Sequence, residues 1–205
     1  MPKLKFYTLW IALILVVFFS VQNIFPVFES ALILNQSSFT EPWRFLTSMF
    51  LHGSLLHLMF NLLALVFFGL ALEKTIGSEK FLGVYLISGI LANLISVNFY
   101  PSSLGASGAI MGIIGCLTII KPLMNVWAFG MIMPMFIASI IWVIVDSIGI
   151  FMPSNIGHIA HLSGILFGGL FGIYYRIKNP EPKTHKIRVP EHLMRRWETL
   201  YMGGD

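Results

Sequence analysis

The chain has 205 residues, of which 57% are hydrophobic and only 11% charged, with a mean hydropathy of +0.82. A soluble globular domain of this composition would leave more apolar surface in water than its polar residues can cover, so composition excludes one and calls for lipid as solvent. The net charge of +4 lies beside hydrophobic runs, as membrane topology requires, and does not suggest nucleic acid.

Stretches free of Lys, Arg, Asp and Glu cover Phe6 to Phe28, Phe45 to Leu72, a double-length run from Phe81 up to but not including Lys121, Pro122 to Val145, and Ser147 to Tyr175. Each is long enough for a helix to cross a hydrocarbon core of roughly 30 Å, which takes about 20 residues. The double run must turn, and Asn98 to Gly105 supplies Asn, Pro, Ser and Gly together. This predicts an all-α polytopic protein with six spans near 6–25, 50–72, 81–98, 106–120, 124–150 and 157–176, forming one membrane domain over 1–177. A basic tail follows over 178–205.

In chain order, the first span follows Lys3 and Lys5 and lacks a small-x-small cleavage site near Phe18 to Asn23, so it reads as retained. The segment from Pro26 to Met49 is amphipathic and suits the membrane interface, with Trp43 at headgroup level and the Arg44 guanidinium available for loop carbonyls or phosphates. Cys116, the only cysteine, lies within a span and excludes an intramolecular disulfide. In the tail, Leu193, Trp197, Leu200 and Tyr201 recur at helical spacing beside Arg195, Arg196 and Glu198, which fits a helix on an anionic membrane face or a frayed basic end.

Six spans put both termini on one side. Lys3, Lys5, Lys74, Lys80, Lys121, Arg176, Lys178, Lys183, Lys186, Arg188, Arg195 and Arg196 then face the cytoplasm and only Arg44 faces outward. The expected location is therefore an integral, multi-pass position, with the cell membrane as the expected site and both termini cytoplasmic. A five- or seven-span chain would put the basic tail outside.

Polar groups inside lipid are expensive and usually mark function. Ser107 in Gly105-Ala106-Ser107-Gly108 opens the fourth span, and His161 in Ala160-His161-Leu162-Ser163-Gly164 opens the sixth. A serine hydroxyl is a useful nucleophile only beside a base that takes its proton. Gly108 and Gly112 on span four, and Gly164, Gly168 and Gly172 on span six, have the spacing that lets helix backbones approach, which brings Ser107 towards His161. His57 and Asn61 are four residues apart on one face of span two and can aim two donors at a developing oxyanion. Span four is short, near 24 Å at about 1.5 Å per residue, so Ser107 is expected below the outer surface, under a polar cavity with Tyr100 to Leu104 as a loop over protein.

These residues together resemble the rhomboid family of intramembrane serine proteases. The resemblance rests on Gly105-Ala106-Ser107-Gly108, Ala160-His161-x-x-Gly164-x-x-x-Gly168, His52 with His57-x-x-x-Asn61, and Trp43-Arg44, and it runs from about Trp43 to Gly172. It implies a six-helix rhomboid-like bundle that acts as a serine-type endopeptidase through a Ser–His dyad without an acid. Ser107 is then the nucleophile, His161 the general base and acid, and His57 and Asn61 the oxyanion donors. The partners it implies are the transmembrane helices of single-span proteins, cut near the external face within the bilayer, with no cofactor and no metal. Glu73-Lys74-x-x-Gly77-Ser78 resembles the family's turn after span two, a structural element. One departure is Met111, where some members stack an aromatic ring on the histidine; sulfur also packs on imidazole.

His158, one turn from His161, is the rival base or a lining residue at the cavity mouth. His52 is expected near the surface, bonded to loop groups. Asp146, the only carboxylate within a span, is expected to reach water or Arg44, with a triad acid the other possibility. Two other functions fit less well. A catalytically silent rhomboid-like binder needs no nucleophile, and a transporter lined by His52, His57, His158 and His161 lacks an HExxH motif and a nearby acid to complete a zinc site.

Overall fold

The computed structural model describes residues 4–180 and 190–203, so Lys3 and the tail residues Lys183, Lys186 and Arg188 lie outside the described residues. The order of helices is α1 (Tyr7–Ile24), α2 (Pro26–Leu32), α3 (Arg44–Thr47), α4 (Leu55–Ile76), α5 (Ser78–Ser96), α6 (Ser107–Ile120), α7 (Met135–Gly149), α8 (His158–Lys178) and α9 (Glu191–Tyr201). Helices α1, α4 and α5 are long and apolar enough to cross a membrane, while α6 and α7 are apolar but shorter. Leu15, Leu65, Leu72, Phe81, Tyr85, Ile113 and Leu117 are fully buried at the centre. Leu9, Trp10, Phe60, Leu63, Ile140, Leu166 and Leu170 point outward, which is costly in water and neutral against lipid tails.

The fifth predicted span begins eleven residues late. Residues 124–134 do not continue a helix; Asn125–Ala128 (β3) and Met131–Pro134 (β4) pair antiparallel, joined by Phe129-Gly130 with both φ values positive. That turn matches the twist of a tight hairpin, and Pro134 ends the strand where α7 begins. Val126, Ala128 and Met133 alternate inward and Trp127 and Ile132 outward.

Buried polar groups tie the periphery to the bundle. Glu73 on α4, nearly inaccessible, accepts hydrogen bonds from the backbone N–H groups of Tyr7 and Thr8 and from the hydroxyls of Thr8 and Ser78, which satisfies the first turn of α1. The helix therefore runs past the predicted end at 72. Gly77 then turns the chain at φ 87°, in the left-handed region where a side chain is strained. Arg44 is buried, pairs with Glu41 and donates to the carbonyls of Ser30 and Ile33 at 2.8 and 2.9 Å, so the guanidinium does bind loop carbonyls. Asn93 on α5 donates to the Phe45 carbonyl and the Ser48 hydroxyl, anchoring α3. Leu34–Asn35 (β1) and Ser102–Ser103 (β2) pair antiparallel, so the loop before Ser107 lies over protein, as its depth requires.

Candidate active site

Helix α6 packs most closely on α8. A Cβ placed at Gly164 would overlap the Gly108 carbonyl, one at Gly168 the Gly112 carbonyl, and one at Gly115 the Ile165 carbonyl. The glycine stripes thus put two backbones in direct contact. At the outer end of this seam, Gly108 lies 3.5 Å (from its Cβ position) from the Ala160 carbonyl. Ser107 and His161 are each the sequence neighbour of one member of that pair.

Ser107 is the first residue of α6, where the leading N–H groups have no intrahelical partner. The preceding Gly105 has φ 126°, a conformation open to glycine, and a Cβ there would strike His57 at 2.8 Å from Cε1 and 3.0 Å from Nε2, with Ser107 Oγ 3.9 Å away. The structure therefore brings His57 and Ser107 together around Gly105. Both side chains and that of His161 are half-buried. Asn61 is buried and its amide donates to the His57 carbonyl at 2.8 Å, which leaves its second N–H available. A cavity of about 450 Å³ lies elsewhere, lined by Thr75, Ile120, Lys121, Tyr175, Arg176 and Asn179, and no hydrogen bond joins Ser107 Oγ to His161 among the described residues.

The two histidines of α8 differ in what occupies their rings. His158 is engaged at both nitrogens, Nδ1 to Asp146 Oδ1 at 2.7 Å and Nε2 to Ser154 Oγ at 2.8 Å, and is 6% exposed. His161 uses only Nδ1, 3.0 Å from the same Asp146 oxygen, which leaves Nε2 without a partner among the described residues. Gly149 makes room, because a Cβ there would overlap the His158 ring.

Asp146 corrects the sequence reading. It reaches neither water nor Arg44, but is 4% exposed beneath both histidines. The signal was present in the loop length, since only residues 150–157 separate antiparallel α7 and α8 and the last turn of one must meet the first turn of the other. Asp146, His158 and His161 also present ligand atoms within 4.8 Å of one another, a set of donor types that suits a divalent cation.

His52 is the second correction. It is fully buried, with neither ring nitrogen in a well-formed hydrogen bond, while Gln22 grips its backbone by donating to its carbonyl at 2.7 Å and accepting from its N–H at 3.0 Å. Its ring meets that of His57 edge to face at 5.0 Å. Burial, reinforced by the charge of His57 and partly opposed by the Phe50 backbone, pushes its pKa down to about 4.

A bundle of apolar helices that buries polar groups near the starts of α6 and α8 defines a helical membrane protein. Comparison with known proteins narrows the class. Residues 40–178 match the rhomboid domain, and the chain belongs to the rhomboid family, whose members are integral membrane proteins. It is 41% identical to the rhomboid protease GluP of Bacillus subtilis over 134 residues, covering 64% of this chain and 25% of that one. It is 30% identical over 161 residues to the mitochondrial rhomboid protein 1 of Saccharomyces cerevisiae, covering 71% and 45%. Rhomboid-like protein 4 of Arabidopsis thaliana is 27% identical over 166 residues, covering 75% and 42%. The chain spans a quarter to a half of the length of these relatives.

Proposed function

We propose that this chain is an intramembrane serine endopeptidase that cuts transmembrane segments of single-span membrane proteins. The observation that carries the reading is the α6–α8 seam, where contacting backbones end one residue along the chain from Ser107 and from a histidine that keeps one ring nitrogen free. His158, with both nitrogens occupied, makes the poorer base. The topology we propose has α1, α4, α5, α6, α7 and α8 as the six spans and both termini cytoplasmic, supported by twelve basic residues on that side against Arg44 on the other.

In the proposed reaction Ser107 Oγ attacks the scissile carbonyl while His161 Nε2 takes its proton. Negative charge gathers on the carbonyl oxygen, where His57 and the free N–H groups at the start of α6 offer donors. Asn61, one turn along the same helix, adds its second amide N–H. Collapse breaks the peptide bond as His161 returns the proton to the leaving amine, and water then hydrolyses the acyl-serine with His161 again as base. The family name of the Bacillus relative, a protease, supports this reading.

The test uses wild type, Ser107→Ala and His161→Ala reconstituted in vesicles with a single-span substrate. Cleavage by wild type that disappears in both variants is the expected result. A folded wild type that cuts none of several such substrates would favour a catalytically silent binder. Cleavage that stops on chelation would favour a metal-dependent function of the Asp146, His158 and His161 donors.

A further inference from the structure

We propose that α9 lies on the surface of the bilayer that α8 leaves, with Leu193, Met194, Trp197, Leu200 and Tyr201 sunk into the boundary between headgroups and acyl chains. This rests on α8 being a membrane span and not on the protease reading.

The order of residues in α9 sorts its side chains completely. At about 3.6 residues per turn, or about 100° each, those five apolar residues fall within an arc of about 120°, and Glu191, His192, Arg195, Arg196, Glu198 and Thr199 take the rest of the circumference. The two classes do not interleave. All five apolar side chains are exposed, from 47% at Leu193 to 73% at Tyr201, and no residue of α9 is buried. A helix of 11 residues is also short to persist in water by itself, since isolated helices below roughly 12–15 residues are marginal even in good helix formers. Glu191 in the first turn favours the helix, and Arg195 pairs with it at 2.8 Å, but an exposed pair of this kind contributes little. The helix therefore needs a surface that covers one side of it and leaves the other in water.

Three features identify that surface as lipid. The first is the tether. Helix α8 ends at Lys178 and α9 begins at Glu191, so residues 179–190 hold the helix within at most about 40 Å of the end of a span, at roughly 3.5 Å per residue, and make its docking intramolecular. The second is the make-up of the apolar face. Trp197 and Tyr201 lie together on it with ring centroids 5.7 Å apart, and rings that carry a polar edge favour the headgroup level. The third is charge. Arg196 borders the apolar arc on the Leu200 side and has no ion-pair partner among the described residues, so its guanidinium can reach lipid phosphate oxygens while the apolar face is covered. The cavity near the end of α8 is a poor rival seat, because Lys121, Arg176 and Asn179 line it with cations and an amide that do not match an apolar face.

The test places single cysteines in the full chain, Met194→Cys and Leu200→Cys in the apolar arc and His192→Cys and Thr199→Cys in the polar one. Each is labelled with a nitrobenzoxadiazole fluorophore and reconstituted in vesicles of phosphatidylcholine and phosphatidylglycerol. Every substituted position is exposed and Cys116 is fully buried, so folding is preserved and the unsubstituted chain gives the background. Nitroxide-bearing lipids are expected to quench the labels at 194 and 200 at least about threefold more than those at 192 and 199. Adding Leu193→Glu and Trp197→Glu should abolish that difference with no change in melting temperature. Equal quenching at all four positions would overturn the proposal. Blue-shifted emission at 194 and 200 without lipid quenching would overturn it too, because the apolar face would then be covered by the bundle, a second copy or another protein. Arg196→Glu should lower the quenching at 200, and an unchanged value would overturn the phosphate contact given to Arg196. None of these readouts uses cleavage, so a chain that cuts no substrate still decides the matter.

Discussion

The two contacts that α8 makes at the candidate site are built on opposite principles. Towards α6 it presents Gly164, Gly168 and Gly172, and the backbones touch at these three positions over about two turns. Towards α7 it makes few contacts, and the main link is polar, Asp146 to His158 and His161. The first seam is a direct backbone contact, with Ser107 and His161 each one residue along the chain from its outer end. The second depends on hydrogen bonds, so it is sensitive to proton and metal chemistry in a way the first is not. In lipid, where burial of apolar surface gives no net drive between helices, close approach and hydrogen bonds are the forces left.

Breaking the glycine seam should have the largest effect. Gly168→Val drives a branched side chain into the Gly112 carbonyl, and about 3 kcal/mol or more of destabilisation is expected, read as a large fall in melting temperature in detergent. A variant that melts like wild type would mean that the backbones are not in contact. Disturbing the polar seam should cost function more than stability. Gly149→Ala crowds the His158 ring, and kcat should fall several-fold to about tenfold while the melting temperature changes by only a few degrees. Unchanged kcat would show that the position of the His158 ring does not matter.

The unpartnered histidine gives the pH prediction. His52 has its pKa lowered in the fold, to about 4 against an ordinary value near 6.5 in the unfolded chain. Stability from its neutral burial is complete above about pH 6.5 and is lost as pH falls through the window towards 4, because the unfolded chain takes up a proton that the fold refuses. The full loss is at most about 3 kcal/mol. Melting temperature should decline from pH 7.5 to 5, and His52→Leu should flatten that slope; an equally steep slope in the variant counts against burial of an uncharged ring. The smallest expected effect is from metal removal. A chelator should leave substrate cleavage unchanged, since the Asp146 oxygen already lies within hydrogen-bond distance of both imidazoles, and loss of activity would assign the cluster to a metal instead.

Much of this comparison could be read before any coordinates. The small-residue spacing on the fourth and sixth spans announces a backbone contact directly, because only glycine permits it. The hairpin over 124–134 was hidden because Val126, Trp127, Ile132 and Met133 are as apolar as any helix, and hydropathy does not distinguish the two. Phe129-Gly130 between alternating strands, flanked by Pro122 and Pro134, was the turn signal that a run without charges outweighed. Asp146 reads first as a solvated group, with a triad acid only second, for a related reason: a lone carboxylate at a helix end looks exposed until the short loop to His158 is used as a distance constraint. His52 gave no sequence signal at all: its burial comes from Gln22, thirty residues earlier, holding its backbone from α1.

The central claim is that Ser107 is an activated nucleophile, and covalent mapping tests it most directly. Wild type and His161→Ala would be treated with a fluorophosphonate in detergent and the modified residue located by peptide mass mapping. Modification of wild type at Ser107, lost in His161→Ala, is the predicted result. A folded wild type that stays unmodified, or that is modified at another serine, would contradict the account.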